Sequence, residues 1–385
     1  MSRHRGWFAG RRRRHRDLVF HLPTASALLR QVSPASAGGA ENQVLLLARE
    51  LARRNVSVGI VAVDVEGGLR REIDGVDIIT QPASRTSLPG LRTIVFWLQM
   101  VLTLRAHPAD VVVQRSANIH TAPLALLNRL TRRRFVFASA GVSDFDRGEW
   151  KRRHRWLFDL GVRLADEVVV QTAEQVLLCR DRFSRQPILI KSIGEPAQRP
   201  GDKPEAFLWI GRLSHHKRPL AYVDLARALP QARFRMVTVE KAPDEDGIEM
   251  AELARIADRV PNLELCPPRR RDELVPLYET AAAVVSTSVS EGMPNVFLEG
   301  WARGVPALTL AHDPDGVIER EHLGGYAAGS PVRLTELAKQ IWESRRERAE
   351  LAGRCRDYVA REHELAPIAD RWMVALGLAG TEEAR

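Results

Sequence analysis

The chain has 385 residues, of which 45% are hydrophobic and 27% are charged, which is typical of a folded protein. Its length favours two domains over one. The three cysteines, Cys179, Cys266 and Cys355, stand far apart, which argues against a disulfide framework or a cysteine-rich zinc site and fits a reducing cytoplasm. The most apolar run, residues 94–104, is well short of the ~20 residues that span a bilayer. We therefore expect a cytoplasmic protein, soluble or peripheral on the inner face of the membrane.

The charge is distributed unevenly along the chain. Residues 1–200 contain 32 basic and 18 acidic side chains, a net +14, whereas residues 201–385 contain 25 basic and 30 acidic side chains, a net −5. This asymmetry indicates an anionic partner for the first half, such as nucleic acid, an anionic membrane surface or a phosphorylated substrate.

Short β-branched runs alternate with longer helical stretches in the first half. The predicted strands are 18–22, 56–63, 76–80, 110–114, 135–138 and 167–171. The predicted helices are 40–54, 91–106, 123–132, 150–164 and 173–183. The near-continuous apolar runs at 111–113 and 168–170 favour a parallel sheet that is buried on both faces.

After the proline-rich segment 195–205 the same alternation restarts. Predicted strands are 206–210, 234–239, 263–266, 283–286 and 307–310, and predicted helices are 218–229, 247–259, 271–280, 295–303, 331–355 and 365–376. Two such series predict two doubly wound, Rossmann-like α/β domains that face each other across a cleft. The predicted divisions are a basic tail (1–16), a first domain (17–194), a linker (195–205), a second domain (206–360), and a C-terminal helix and tail (361–385). This last segment could cross back to the first domain.

Residues 286–306 carry the most informative pattern. A strand leads into a loop with Glu291 and Gly292, and a helix begins near Asn295. Gly292 permits close approach of a ligand to the backbone, and a helix N-terminus presents N–H groups and a positive dipole end. Glu291 and Glu299 could bind two parts of one polyhydroxylated ligand, although a helix cap and a surface charge are the simpler alternative.

A second pattern, residues 210–217, directly follows the first strand of the second half and reads IGRLSHHK. Arg212 and Lys217 together suit a diphosphate and can offset the charge that grows on a phosphate leaving group. The alternative is a solvated basic loop. The adjacent His215 and His216 lack a third ligand at a fixed spacing and do not indicate a metal site.

Together these segments resemble glycosyltransferase family 4, the retaining GT-B enzymes that use nucleotide-activated sugars. The resemblance rests on GRLSHHK (211–217), EGMPNVFLE (291–299) and the glycine-rich SAGGAENQVLLLARELARRN (36–55), and it extends over roughly residues 17–376. It implies a GT-B fold, with a nucleotide sugar bound to the second domain and the acceptor bound to the first.

The resemblance also implies roles for individual residues. Arg212 and Lys217 would hold the donor diphosphate, Glu291 would face the donor sugar, and Glu299 would bind the ribose; the first three are the expected catalytic residues. The expected donor-binding residues are Gly211, Arg212, Lys217, Glu291, Gly292, Met293, Pro294, Asn295 and Glu299. Since the basic pair can replace a metal as phosphate neutraliser, we expect no essential metal ion and no bound cofactor.

The acceptor side departs from the family pattern. Many family members carry a histidine after the strand that corresponds to 135–138, whereas the following segment here reads ASAGVSDFD and has none. Asp144 and Asp146 in this segment spell the D-x-D of metal-dependent transferases, a match that we regard as superficial. The expected acceptor-side residues are Gly38, Gly39, His120, Ser139 and Asp144. The glycine pair is equally consistent with a flexible turn.

Arginine-rich segments at 3–16, 131–134 and 151–158 account for the basic first half, and aromatic residues are interleaved with their charges. This arrangement favours contact with an anionic membrane over a merely solvated tail, and nucleic acid is the least favoured partner. The unusually apolar helix at 91–106 could dock at a membrane, but we expect it to fill the core.

The resemblance implies a retaining glycosyltransferase that uses a nucleotide sugar, and together with the basic first half it leads us to expect a lipid-linked or polysaccharide-precursor acceptor. Two alternatives remain open. A nucleotide-sugar epimerase or hydrolase of the same fold would act without an acceptor, and a non-catalytic protein on a decayed scaffold would bind membrane or nucleic acid.

Overall fold

A computed structural model of the chain describes residues 15–30, 38–64, 67–84, 86, 88–145, 151–197, 204–239 and 246–379. These residues form two α/β domains. The predicted basic tail lies outside the described residues, apart from its last two positions.

The first domain is built on an eight-stranded sheet within the described ranges, in the order β3-β4-β2-β1-β5-β6-β7-β8. Its strands are β1 (Arg16–His21), β2 (Val58–Asp64), β3 (Glu72–Ile73), β4 (Val76–Pro82), β5 (Ala109–Arg115), β6 (Arg134–Ala138), β7 (Glu167–Val170) and β8 (Ile188–Leu189). Its helices are α1 (Ser26–Arg30), α2 (Gly39–Arg53), α3 (Pro89–Ala106), α4 (Thr121–Leu130), α5 (Arg152–Leu164) and α6 (Ala173–Phe183). The short β3 pairs antiparallel with β4, and the other pairs are parallel.

The second domain has six parallel strands in its described part, in the order β11-β10-β9-β12-β13-β14. They are β9 (Ala206–Arg212), β10 (Phe234–Val239), β11 (Leu263–Cys266), β12 (Ala281–Ser286), β13 (Ala307–Thr309) and β14 (Gly324–Tyr326). The helices that follow in the chain are α7 (Pro219–Ala228), α8 (Met250–Ala257), α9 (Arg271–Glu279), α10 (Asn295–Ala302), α11 (Val317–Arg320), α12 (Pro331–Glu343), α13 (Ala349–Glu362) and α14 (Leu365–Leu376).

Each sheet is buried on both faces, as its apolar strands require. In the first domain α2 and α14 share an apolar cluster with one face of the sheet, and α3, α4, α5 and α6 share another cluster with the opposite face. The strand order reverses next to β1 and again next to β9, so a crevice opens beyond the carboxyl ends of these strands in each domain.

The C-terminal helix α14 returns to the first domain. Ile368, Trp372 and Leu376 are buried in the cluster that includes α2. Just before this helix, the buried His363 Nδ1 lies 2.6 Å from the carbonyl oxygen of Ser192. The end of the chain therefore links the second domain to the core of the first.

The prediction of one long helix at 331–355 is wrong, because the chain turns at residues 344–348 between α12 and α13. The buried Arg348 guanidinium donates hydrogen bonds to the carbonyl oxygens of Ala281 (2.9 Å) and Ala282 (2.7 Å). A contact with a distant strand thus ends a helical pattern that continues in the sequence. The shortest elements, such as β3 and α11, have too few residues for a periodic signal.

The expectation that α3 fills the core holds for only one of its faces. Met100 and Leu104 are fully buried, whereas Ile94, Leu98 and Leu102 are 53%, 58% and 66% exposed. None of the described helices combines the length and apolar character that crossing a membrane requires.

The packing of α4 on α5 leads to a first prediction. A Cβ at Gly161 of α5 would lie 2.5 Å from the carbonyl carbon of Thr121 and 2.6 Å from the nitrogen of Ala122. These backbone atoms cannot move aside cheaply, so Gly161→Ala should lower the free energy of unfolding by about 1–3 kcal/mol in denaturant unfolding.

Gly353 in α13 is the matched control, because a Cβ there would meet no atom within 4 Å. Gly353→Ala should be neutral or stabilising by up to ~1 kcal/mol, since alanine favours the helix. Equal stability of the two variants would contradict the proposed tight contact.

Candidate functional site

Two loops meet at the carboxyl edge of the second sheet. One follows β9, which ends at Arg212, and the other follows β12, which ends at Ser286. The Thr287 hydroxyl joins them, because it donates to the carbonyl oxygen of Lys217 at 2.7 Å and accepts from the Trp209 indole N–H at 3.0 Å. The two patterns that the sequence singled out therefore form one site.

Lys217 and Glu291 form an ion pair at the centre of this site. The Lys217 ammonium donates to the Glu291 carboxylate, and the two side chains are 24% and 18% exposed. Burial alone would raise the pKa of Glu291, but the neighbouring Lys217 outweighs it and holds that pKa below its ordinary value. Glu291 is therefore ionised at neutral pH. His216 adds a contact from its Nε2 to the carbonyl oxygen of Ser290.

The other residues that were expected to bind the donor lie at the end of β9, in the loop after β12 or on α10. Gly211 lies over an indole ring, since a Cβ there would be 2.9 Å from the Trp209 side chain. Arg212 is exposed at the end of its strand. Met293 is buried in the apolar cluster beneath α10, and Pro294 is also buried at the N-terminus of that helix.

Asn295 connects the two domains at the start of α10. Its Oδ1 accepts a hydrogen bond of 2.9 Å from Gln43 Nε2 on α2, and Gln43 also donates to the carbonyl oxygen of Ile193 at 2.8 Å. A Cβ at Gly39 would lie only 2.1 Å from Asn295 Nδ2. Gly39 thus permits the close approach of α2 to α10. Gly38 contacts its own helix instead, since a Cβ there would lie 2.2 Å from the carboxylate of Glu41.

Gly292 faces the first domain across the cleft. A Cβ on this residue would be 3.1 Å from the carbonyl oxygen of Ala140 and 3.3 Å from the Cα of Gly141. On its other side His312 Nε2 is 3.3 Å from the carbonyl oxygen of Gly292. The loop with the predicted acceptor-side residues thus lies directly opposite the loop that contains Gly292.

Glu299 has a partner that the sequence patterns did not reveal. Its Oε1 lies 3.1 Å from Arg271 Nη2, and the same nitrogen is 2.5 Å from an oxygen of Glu195. Arg271 is the last residue of an arginine run at 269–271, so no spacing distinguished it. The pair places a cation beside the carboxylate that was expected to bind the ribose.

Asp144 organises the loop after β6. Its carboxylate accepts hydrogen bonds from the backbone amides of Ala117 (3.0 Å) and Ala140 (2.5 Å) and from the Ser139 hydroxyl (3.1 Å). The side chain is only 5% exposed. The predicted acceptor-side residues Ser139 and Asp144 are therefore brought together, and they set the backbone of the loop that faces Gly292.

His120 lies in a half-buried aromatic cluster of the first domain. Its ring stacks on Phe96 at 4.1 Å, and its Nδ1 accepts a 2.8 Å hydrogen bond from the Trp97 indole N–H. Burial lowers the pKa of His120 to about 3, with a contribution from the nearby His21. The imidazole is therefore neutral at physiological pH, and it is not among the residues that contact the Lys217–Glu291 pair.

Arg115, which the sequence patterns did not single out, ends β5 near the loop that Asp144 organises. It is 9% exposed. Burial lowers the pKa of Arg115 to about 10, although the Asp144 and Glu41 carboxylates oppose this shift. A buried guanidinium beside two carboxylates extends the polar lining of the first domain towards the cleft. The strand predicted at 110–114 ended one residue before this position.

Comparison with known proteins agrees with the division of the structure into two domains. Residues 38–191 match the glycosyl transferase 4-like domain, and residues 204–344 match the family of glycosyl transferases group 1. The chain therefore contains two glycosyltransferase domains. Membership of glycosyltransferase family 4 itself, with its retaining mechanism, stays a prediction.

Three solved structures illustrate the fold of this glycosyltransferase. Sucrose-phosphate synthase from Thermosynechococcus elongatus is 15% identical with a TM-score of 0.72, covering 93% of this chain and 97% of that one. HepE from Anabaena, in complex with UDP and glucose, is 17% identical with a TM-score of 0.70 and coverages of 94% and 100%. WaaG, a glycosyltransferase involved in lipopolysaccharide biosynthesis, is 16% identical with a TM-score of 0.68 and the same coverages. These similarities confirm the predicted two-domain GT-B fold.

Within the described part of the chain, no three or more His, Cys, Asp or Glu side chains cluster in a way that could hold a metal ion. Asp146 of the D-x-D segment lies outside that part. The expectation that no metal ion or cofactor is needed stays a prediction.

The loop around Asp144 leads to a second prediction. Asp144→Asn should lower the free energy of unfolding by about 2–4 kcal/mol, because an amide can accept at only one atom and its NH₂ group would face backbone donors. Asp224→Asn is the control, since Asp224 is 68% exposed and pairs only with Arg227 in its own helix. Thermal or denaturant unfolding measures both variants. A stability of Asp144→Asn equal to that of the control would rule out the organising role.

Proposed function

We propose that this glycosyltransferase moves a sugar from a nucleotide sugar, with retention of the anomeric configuration, to a lipid-linked or polysaccharide-precursor acceptor. The observation that carries the proposal is the Lys217–Glu291 ion pair at the carboxyl edge of the second sheet, opposite the loop of residues 139–141. Such an arrangement offers a cation to a diphosphate and an ionised carboxylate to a sugar. The complexes of HepE with UDP and with UDP-glucose make a UDP-sugar the first donor to test.

In the proposed reaction the acceptor hydroxyl attacks the anomeric carbon from the side on which the diphosphate leaves. The bond from the anomeric carbon to the phosphate oxygen breaks, the new glycosidic bond forms, and the hydroxyl proton passes to the departing phosphate. Arg212 and Lys217 stabilise the negative charge that accumulates on the diphosphate. Glu291 binds hydroxyl groups of the donor sugar and keeps Lys217 in position before the donor arrives.

The acceptor belongs to the first domain in this proposal. Gly39 lets α2 approach α10, and the loop that Asp144 organises lies opposite Gly292. The net charge of +14 in the first half suits an acceptor at an anionic membrane surface, with the protein peripheral on its cytoplasmic face. Neither a metal ion nor a bound cofactor takes part, because the two basic side chains neutralise the leaving group.

Lys217→Ala tests the leaving-group role. Thermal shifts with UDP, GDP, ADP and TDP first identify the base, since a ligand that binds only the folded state raises the melting temperature. With the matching sugar donor, Lys217→Ala should then lose roughly two to three orders of magnitude in kcat.

Lys339→Ala is the control, because Lys339 is 59% exposed on α12 and contacts only a neighbouring glutamate at 3.9 Å. Full turnover of Lys217→Ala would refute the assignment. Products formed without any acceptor would instead identify an epimerase or hydrolase, whereas steep salt-dependent binding of nucleic acid, without stabilisation by any nucleotide, would favour a binding protein.

Glu291→Gln separates binding of the diphosphate from transfer. The amide releases Lys217 from its ion pair and removes a negative charge near the diphosphate, so the nucleoside diphosphate should bind at least as tightly as to the wild type. Transfer should nevertheless fall by about 100-fold, because the ionised group that faces the sugar is lost.

Isothermal titration with the nucleoside diphosphate and an assay of sugar transfer provide the two readouts for this variant. Glu350→Gln is the control, since Glu350 is 90% exposed. A parallel loss of nucleotide binding and of transfer in Glu291→Gln would contradict the division of roles between Lys217 and Glu291.

A further inference from the structure

Helix α3 presents a continuous apolar row to solvent. Leu91, Ile94, Leu98 and Leu102 are 47%, 53%, 58% and 66% exposed, and their spacings of three and four residues place them on one side of the helix. Leu88, which directly precedes the helix, is 62% exposed. An uncovered apolar surface of this extent usually marks an interaction site.

The neighbouring helices extend this surface. Helices α3, α4 and α5 share the same apolar cluster beneath them, so they form one layer on the sheet. Leu126 and Leu130 of α4 are 43% and 83% exposed, and Trp156 of α5 is 62% exposed. We call the outer side of these three helices the α3–α5 surface. Most of the exposed large apolar side chains in the described residues lie on this surface or next to it.

The charges on the α3–α5 surface have one sign. Helices α3 and α4 contain no acidic residue, and the one acidic residue of α5, Asp159, is held by Arg182 at 3.0 Å. Exposed basic residues lie on these helices or directly beside them: Arg92, Arg105, Arg129, Arg132, Lys151, Arg152 and Arg153. The apolar row is thus accompanied by cations that acidic neighbours on the same helices do not neutralise.

We propose that the α3–α5 surface docks on an anionic lipid bilayer. The leucine and isoleucine side chains of α3 enter the boundary between headgroups and acyl chains, with Trp156 at the same depth, and the arginines bind lipid phosphates. A second copy of the chain fits this surface poorly, because two identical surfaces would bring cations against cations. Charge complementarity therefore selects the bilayer as the occupant.

The same helix reaches the acceptor side of the cleft. On its inner side Phe96 stacks on His120 and Trp97 donates a hydrogen bond to it, and His120 immediately precedes α4. Docking through α3 would therefore hold the acceptor side of the cleft next to the bilayer. This consequence, a lipid-linked acceptor delivered from the membrane, rests on the proposed function, whereas the docking itself does not.

Flotation of the full-length protein with vesicles tests the docking. Vesicles of phosphatidylcholine with phosphatidylglycerol are compared with vesicles of phosphatidylcholine alone, at low and at high salt. The triple variant Ile94→Gln, Leu98→Gln, Leu102→Gln removes the centre of the apolar row and leaves every basic residue in place. Because these side chains are exposed, the variant should fold like the wild type, which circular dichroism and the melting temperature verify.

The matched control carries three apolar-to-glutamine changes away from this surface, at Leu220, Val332 and Val374, which are 41%, 70% and 68% exposed. The wild type and this control should bind the anionic vesicles, more weakly at high salt, and bind the neutral ones poorly. The triple variant should bind the anionic vesicles at least about tenfold more weakly, since three inserted aliphatic side chains are lost.

Three results would overturn the proposal. The first is anionic-vesicle binding by the triple variant equal to that of the wild type, which would assign the binding to basic segments alone. The second is equal binding to neutral and anionic vesicles. The third is that light scattering shows the wild type to be a dimer and the triple variant a monomer, while neither protein binds vesicles. Stabilisation by the nucleoside diphosphate is measured in parallel, so that failure of docking is distinguished from failure of the proposed transfer.

Discussion

The packing of α14 against α2 determines how the two halves of the molecule meet. Ile368, Trp372 and Leu376 follow the second domain in the sequence, yet they are buried in the core of the first. Burial of each such side chain contributes about 1.5–3 kcal/mol. Because α13 packs on α10 and leads directly into α14, this anchor holds the start of α10 beside α2, where Asn295 contacts Gln43. The closeness of the two domains at the site depends on this apolar contact.

At the site, the positions of individual charged side chains matter more than the net charge of the domain. The second half of the chain carries a net charge of −5, yet it contains the cations that suit a diphosphate. Lys217 and Glu291 are in direct contact and partly buried, so their interaction is much less screened than that between distant surface charges. Net charge is informative instead for the α3–α5 surface, the proposed membrane-docking surface, where many exposed cations lie together.

Apolar runs predicted most of the parallel strands, because a strand buried on both faces has to be almost continuously apolar, and helical patterns predicted most helices. The short parallel strands β8 and β14 were missed. They failed where a distant contact decides the local structure. Arg348 bonds to two carbonyl groups of β12 and separates α12 from α13. Similarly, an apolar helix such as α3 carries no signal for whether a neighbour covers its second face. The exposure of Ile94 and Leu98 follows from the arrangement of the surrounding helices.

The sequence by itself determined the fold class, the alternation of strands and helices along the chain, and the placement of Lys217 and Glu291 in loops at the carboxyl edge of one sheet. These are consequences of local periodicity and of the direction of parallel strands. Only the tertiary structure decided that Glu299 pairs with Arg271, that Asn295 contacts Gln43, and that Asp144 binds the backbone amide of Ala117. The physical reason is that the packing of separate helices, strands and loops brings these partners together. Periodicity within one element carries no information about that packing.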